Sequence, residues 1–165
     1  MSGKPAFVFA LLPCFLYGCL YTFSGSTLPG HLKTVEIPLF ANESLQANVA
    51  DDVTQGLSRE IVSGNLLKVV DENGDAAITG TVTSYANTPY TYGTTDTRQV
   101  SVQQYVVRII AQVEFADKKK NKMIFKGSVT GEGIYDLEKE HEETGRQKAV
   151  KELVERILQN SVQGW

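Results

Sequence analysis

Residues Ser101 to Phe115 (SVQQYVVRIIAQVEF) run without Gly or Pro and are dense in β-branched and aromatic side chains. Such a run reads as a β-strand, because branched and aromatic side chains pack well on a pleated surface. At about 3.4 Å per residue it spans about 50 Å, against about 17–20 Å for an ordinary strand. On a chain of 165 residues, a strand this long projects beyond the core it helps to build. The two-residue period divides it into two faces. Tyr105, Val107, Ile109, Ala111, Val113 and Phe115 make a continuous apolar stripe, suited to lie under helices. Gln104, Val106, Arg108, Ile110, Gln112 and Glu114 make a mixed face, either a candidate docking surface for a partner or a solvated face with a few apolar residues.

The flanking sequence supplies the rest of the sheet. Ile78 to Tyr85 reads as a strand, Asn87 to Thr97 as a polar loop, Val100 to Phe115 as the long strand and Asp117 to Asn121 (DKKKN) as a hairpin tip. Lys122 to Tyr135 returns antiparallel, with Gly127, Gly131 and Gly133 marking bulges or close backbone approach. Upstream, Lys33 to Phe40 alternates Val35, Ile37 and Leu39 on one face, with Pro38 implying an edge strand or a bend. Asn42-Glu43-Ser44 offers N-cap chemistry to a helix bearing Leu45, Val49, Val53, Leu57 and Ile61, which stops near Ser63 at Gly64-Asn65. Leu66 to Val70 reads as a short strand. Ala149, Val150, Leu153, Val154, Ile157, Leu158 and Val162 give a second amphipathic helix, with Glu138, Glu140, Glu142 and Glu143 crowding its start. The expected fold class is α+β: a mixed, largely antiparallel four-stranded sheet with two amphipathic helices packed on one face.

The amino end has a different character. Lys4 precedes an apolar run, Ala6 to Leu16, too short to span a bilayer and ending at Gly18-Cys19. Leu16-Tyr17-Gly18-Cys19 has the layout of a bacterial lipobox, apart from Tyr17 where a small residue is usual. Residues 1–18 are then a lipoprotein signal peptide and Cys19 the acylated residue; an ordinary secretory signal cut nearby, or an uncleaved anchor, is the other reading. Residues 19–32, rich in Gly, Ser, Thr and Pro, read as a tether, and 33–165 as a single domain. A mature chain of roughly 150 residues buries enough surface for one domain.

The formal charge of −3 gives no global case for nucleic acid as a partner. His31 and His141 stand far apart, and no HExxH, CxxC, GxSxG or phosphate-binding loop occurs. No metal, cofactor or catalytic constellation is expected. The acidic Glu138–Glu143 cluster reads as a solvated helix start rather than a cation site. What remains is cationic. Lys118, Lys119 and Lys120 sit on the hairpin tip and Arg98 at the entry to the long strand. Tip lysines keep a sheet edge soluble; cations at a sheet end also suit the phosphates of an anionic lipid.

The lipobox followed by YTFSGSTLPGHLKTVEIPLFANES, then GTVTSYANTPYTYG, a long hairpin and a terminal amphipathic helix resembles the lipopolysaccharide-assembly lipoprotein family (LptE). The resemblance implies a sheet with two helices on one face, anchored by acyl chains in the inner leaflet of the outer membrane and facing the periplasm. It implies a partner, the β-barrel LptD, which such proteins plug and help assemble, and it implies binding of lipopolysaccharide. Arg98 matches the family's basic residue at the start of the long strand, and Lys139 is the candidate for a second near the last helix. The tip lysines match no family site. The alternative is a periplasm-facing envelope scaffold or secretion-pore lipoprotein unrelated to lipopolysaccharide. Replacing Cys19 by Ser is expected to leave a soluble or unprocessed precursor; fractionation with membranes at wild-type size would overturn the acylation of Cys19.

Overall fold

The computed structural model of this chain describes residues 28–94 and 100–162. Six strands and two helices follow in the order β1 (Thr34–Glu36), β2 (Ala41–Asn42), α1 (Val49–Ser63), β3 (Lys68–Val70), β4 (Ala76–Thr94), β5 (Val100–Asp117), β6 (Lys122–Asp136) and α2 (Glu142–Val162). One sheet runs β3-β1-β4-β5-β6, with β2 paired separately to β4. The class is α+β, as expected, but with six strands rather than four.

The three long strands form antiparallel ladders, Ala76↔Asp117 through Thr94↔Val100 and Gln104↔Asp136 through Asp117↔Lys122. The short strands β1, β2 and β3 pair parallel. The expected strand from Lys33 to Phe40 is broken. The chain leaves the ladder after Glu36, passes Pro38 and rejoins β4 as β2. The break shifts the side-chain phase, so Phe40 is buried and Leu39 exposed, the reverse of an unbroken alternation. Gly80 of β4 provides the room for the Phe40 ring; a Cβ there would overlap it.

Helix α1 starts later than the sequence suggests. Asn42 and Ser44 build a turn instead, with the Ser44 amide donating to Asn42 Oδ1 at 3.0 Å and the Asn42 amide group to the Gln46 carbonyl at 2.9 Å. The cap is Asn48, in the left-handed region at φ 63°, and Leu45 is left fully exposed outside the helix. The helix ends as expected at Gly64, and Asn65 takes φ 50°.

Asn87 to Thr94, expected within a loop, continues β4. A polar segment with Pro89 is tolerated in this strand because, among the described strands, β4 has only β5 as a neighbour beyond Val82. Proline on an edge strand forfeits no ladder bond where its nitrogen faces away from the neighbouring strand. Bulges after Val82 and around Thr91 adjust the register.

The core lies between the sheet and the helices. Val107, Ile109, Ala111, Val113 and Phe115 of β5 are buried there, as their alternation requires, with Val53, Leu57 and Ile61 of α1 and Leu153, Val154 and Ile157 of α2. Burying one such aliphatic or aromatic side chain contributes roughly 1.5–3 kcal/mol. Helix α2 lies along β6 and β5, with α1 beside it. The α2 backbone sits directly on β6. A Cβ on Gly133 would overlap the Gly145 carbonyl, and one on Gly131 the Ala149 carbonyl. These two glycines serve close backbone approach. The end of the expected tether also joins the fold: Leu32 is buried, its amide donates to the Pro29 carbonyl at 2.9 Å, and Leu28 packs against the core. Gly133→Ala is expected to lower stability by about 1–3 kcal/mol or more, read as a fall in the urea midpoint. Gly127→Ala, which meets only the Phe125 ring edge at 3.2 Å, should fall by much less.

Candidate functional site

Two regions collect the residues singled out from the sequence: the sheet face away from the helices, and the ends of the long hairpin. On the open face, period-two alternation sets Val106, Arg108, Ile110, Gln112 and Glu114 of β5 opposite Ile134, Glu132, Thr130, Ser128 and Lys126 of β6. The β4 neighbours of the first four are Thr88, Ala86, Ser84 and Thr81. The charges on this face are paired across strands. Arg108 Nε lies 2.7 Å from Glu132 Oε1, and Lys126 Nζ lies 2.6 Å from Glu114 Oε1. Gln104 accepts from Thr91 Oγ1 at 3.1 Å, Gln112 is exposed and Ile110 half-buried. Val106 departs from the expected open position: it is only 4% exposed and lies outside the main core cluster. The face is therefore close to neutral, with apolar residues between internally satisfied charges.

At the tip, the lysines differ from one another. Lys118 Nζ contacts Glu36 Oε1 at 2.8 Å, and Lys119 Nζ contacts Asp75 Oδ1 at 2.7 Å. Asp75 also accepts from the Lys33 amide at 2.7 Å and the Thr34 amide at 3.1 Å, so the tip is tied to the start of β1. Lys120 donates its backbone amide to Asp117 Oδ1 at 2.9 Å, and its side chain is exposed. The Asp117 side chain is 3% exposed, and its other oxygen lies 2.6 Å from His31 Nε2. Lys118 and Lys119 thus hold the hairpin tip to the sheet, a role that sequence spacing could not reveal, because their partners lie 82 residues away for Lys118 and on the β3–β4 turn for Lys119.

These contacts set the protonation of the acids. The hydrogen bond from Lys118, with that from the Gly74 amide, holds Glu36 below its usual range. The Lys119 and Lys33 hydrogen bonds hold Asp75 well below its own. Burial works to raise Asp117, but the Lys120 amide and His31 outweigh it and leave its pKa lowered.

At the opposite end, Tyr85 Oη donates to Glu142 Oε1 at 2.7 Å, and burial together with that carboxylate pushes its pKa up. Asn87 Nδ2 donates to Tyr135 Oη at 2.9 Å, and the Tyr105 and Tyr135 rings stand 5.9 Å apart. Sequence reasoning passed over this tyrosine cluster, because its members come from three strands and a helix. Lys139 is strongly exposed, held only by a 3.8 Å approach to Asp136. Arg98 and Cys19 lie outside the described residues. Among the described residues no cluster of His, Cys, Asp and Glu could hold a metal ion, and no helix is long and apolar enough to cross a membrane.

Against protein-family models, the chain that builds this hairpin sheet and its two helices finds a match. The lipopolysaccharide-assembly (LptE) model matches residues 32–161. The chain belongs to this LptE family. No curated protein sequence matches it. Among solved structures, the hypothetical protein CT253 from Chlamydia trachomatis is similar, with a TM-score of 0.53 at 10% identity over 79% of this chain and 98% of that one. So is the uncharacterized lipoprotein B from Nitrosomonas europaea, with a TM-score of 0.51 at 15% identity over 79% and 83%. At such identity the likeness shows a shared fold alone. In this LptE-family chain the tip ion pairs yield a pH dependence. Each lowered carboxylate adds stability that is present above its unfolded value, 4.5 for Glu36 and 3.8 for Asp75 and Asp117, and is lost as pH falls through its lower folded value. The urea midpoint is expected to fall from pH 5 towards pH 2, and Glu36→Gln with Asp75→Asn to flatten that slope; an unchanged slope would contradict the tip assignment.

Proposed function

We propose that this LptE-family chain is a non-catalytic component of the outer-membrane machinery that assembles lipopolysaccharide. In this reading it is anchored through an acylated Cys19, faces the periplasm, occupies the lumen of an LptD-like β-barrel and assists that barrel's assembly. The observation that carries the reading is the family match across residues 32–161. The sheet suits such a role: at about 3.4 Å per residue, the 18 residues of β5 extend about 60 Å. Its open face offers side chains whose charges are already paired, so docking against a wall desolvates few unmatched groups. Gln104, Val106, Arg108, Ile110 and Gln112 are the proposed barrel-facing residues.

Lipopolysaccharide contact is assigned first to Arg98, in the connection between Thr94 and Val100, and then to Lys139, at the end of the sheet to which that connection belongs. Among the described candidates, Lys139 and Lys120 are more available than Lys118 and Lys119, which are held by Glu36 and Asp75. Lys120 stays a lesser candidate. Pull-down of the intact acylated protein is expected to bring one barrel per chain, identified by mass. Arg98→Asp should weaken glycolipid binding about tenfold or more, the loss of one charge-assisted contact, whereas Lys119→Gln should change it little. A chain that binds neither barrel nor glycolipid, or that closes into a ring of its own copies, would overturn the reading.

A further inference from the structure

The two outer edges of the long hairpin sheet are finished differently. Along β6, side chains of α2 take up backbone groups of the edge: Arg156 Nη1 donates to the Thr130 carbonyl at 3.0 Å, Lys148 Nζ to the Ile134 carbonyl at 3.0 Å, and the Glu132 amide donates to Glu152 Oε2. Lys122, Lys126, Glu132 and Asp136 add charge to that strand. On β4, the neighbours opposite β5 are β1 at Ala76–Ala77 and β2 at Thr81–Val82, and the Glu43 amide closes the row at the Val82 carbonyl. From Thr83 onward no described strand lies against that edge. Nor does β4 carry a single Asp, Glu, Lys, Arg or His between Ala76 and Thr94. Exposed edges in stable proteins are ordinarily protected by lysines, charges or a covering element.

We propose that the edge Thr83–Thr88 takes up an extended, uncharged segment of a separate polypeptide as an added strand. Six residues match the length of a common strand, and Pro89, which lacks an N–H, marks its upper limit. Backbone groups at such an edge are matched by another backbone, so the occupant is a strand rather than a lipid or an ion. Apolar side chains flank the edge. Leu45, fully exposed, precedes Gln46, and Tyr90 is half exposed at the upper end; the charges nearby, Glu142, Glu143 and Arg146, belong to α2 and line a cavity with Gln46 and Tyr85. A second copy of this chain fits poorly. Antiparallel self-pairing centred on Thr83–Thr88 would lay the copy's Pro89–Thr94 over the positions that β2 and β1 hold beside β4. A short strand from a different chain meets no such obstacle. The inference goes beyond the lipopolysaccharide-assembly reading, since it holds whichever protein supplies the segment.

The test uses the full acylated protein in its own membrane, with a photoreactive residue placed in turn at Ser84, Ala86 and Thr88. Adducts to one separate polypeptide, identified by mass, are expected at all three. Because amides alternate in direction along a strand, only one of Ala86 and Asn87 donates outward. Of Ala86→Pro and Asn87→Pro, one should therefore lose the adduct at least tenfold with an unchanged melting temperature. The other should break pairing with β5 and melt lower. Asn87→Ala, which loses the Tyr135 contact but keeps the amide, should retain the adduct. Absence of adducts, adducts within the same chain, adducts to a second copy, or adducts that survive both proline variants would each overturn the proposal. Adducts to a protein other than a barrel would uphold it and leave the barrel reading to its own pull-down.

Discussion

The seating of α2 on β6 is the constraint on which the rest of the molecule depends. A helix normally packs on a sheet through an intervening layer of side chains. Here Gly131 and Gly133 remove that layer, and Gly145 removes the matching bulk on the helix, whose absent Cβ leaves the Tyr135 ring in place. The helix backbone comes down onto the strand, close enough for Lys148, Glu152 and Arg156 to reach the strand's outer amide and carbonyls. One packing decision thus builds the core and closes one sheet edge. The position of α1 follows, since Gly56 lets it lie against Val150 and Val154 of α2.

Ion pairing then divides the long hairpin into a fixed end and an available one. The tip is bound to β1 and to the β3–β4 turn by Lys118, Lys119 and the His31–Asp117 contact. His31 makes that contact from within the residues read as tether, so the end of that segment is tied to the tip of the hairpin. At the other end tyrosines from β4, β5 and β6 support one another, and Lys139 stands nearly free. Cations that look equivalent in a list of residues are therefore unequal as ligands for phosphate.

Much of the fold was legible in the residues. The alternation of Val107 to Phe115 identified the buried face, and the four-residue recurrence from Val49 to Ile61 and from Ala149 to Ile157 identified the helix faces, because burial acts on the period of the local structure. Gly127, Gly131 and Gly133 read as bulges or close backbone approach, and the second holds at 131 and 133. The failures were at places where tertiary context overrides local chemistry. Leu45 fits the helical period yet lies outside α1, because Asn42 and Ser44 capture the backbone in a turn. Asn87–Thr94 has loop composition, yet β5 supplies a ready ladder and draws it into β4. Of the candidate site, the open face was foreseen in outline, although Val106 is shielded there; the tip lysines' partners were not.

The sequence by itself determined the class of the fold, the length of the hairpin, which side of β5 is apolar and the family to which the chain belongs, because each of these rests on local period or on motifs that neighbouring residues carry. Only the tertiary structure decided that the described sheet has six strands, that Lys118 and Lys119 serve the fold, that β6 is closed and that beyond Val82 no described strand but β5 pairs with β4. Those outcomes depend on pairings between residues tens of positions apart, such as Lys118 with Glu36 and Glu152 with Glu132. No local pattern encodes the distance that folding brings to less than 3 Å.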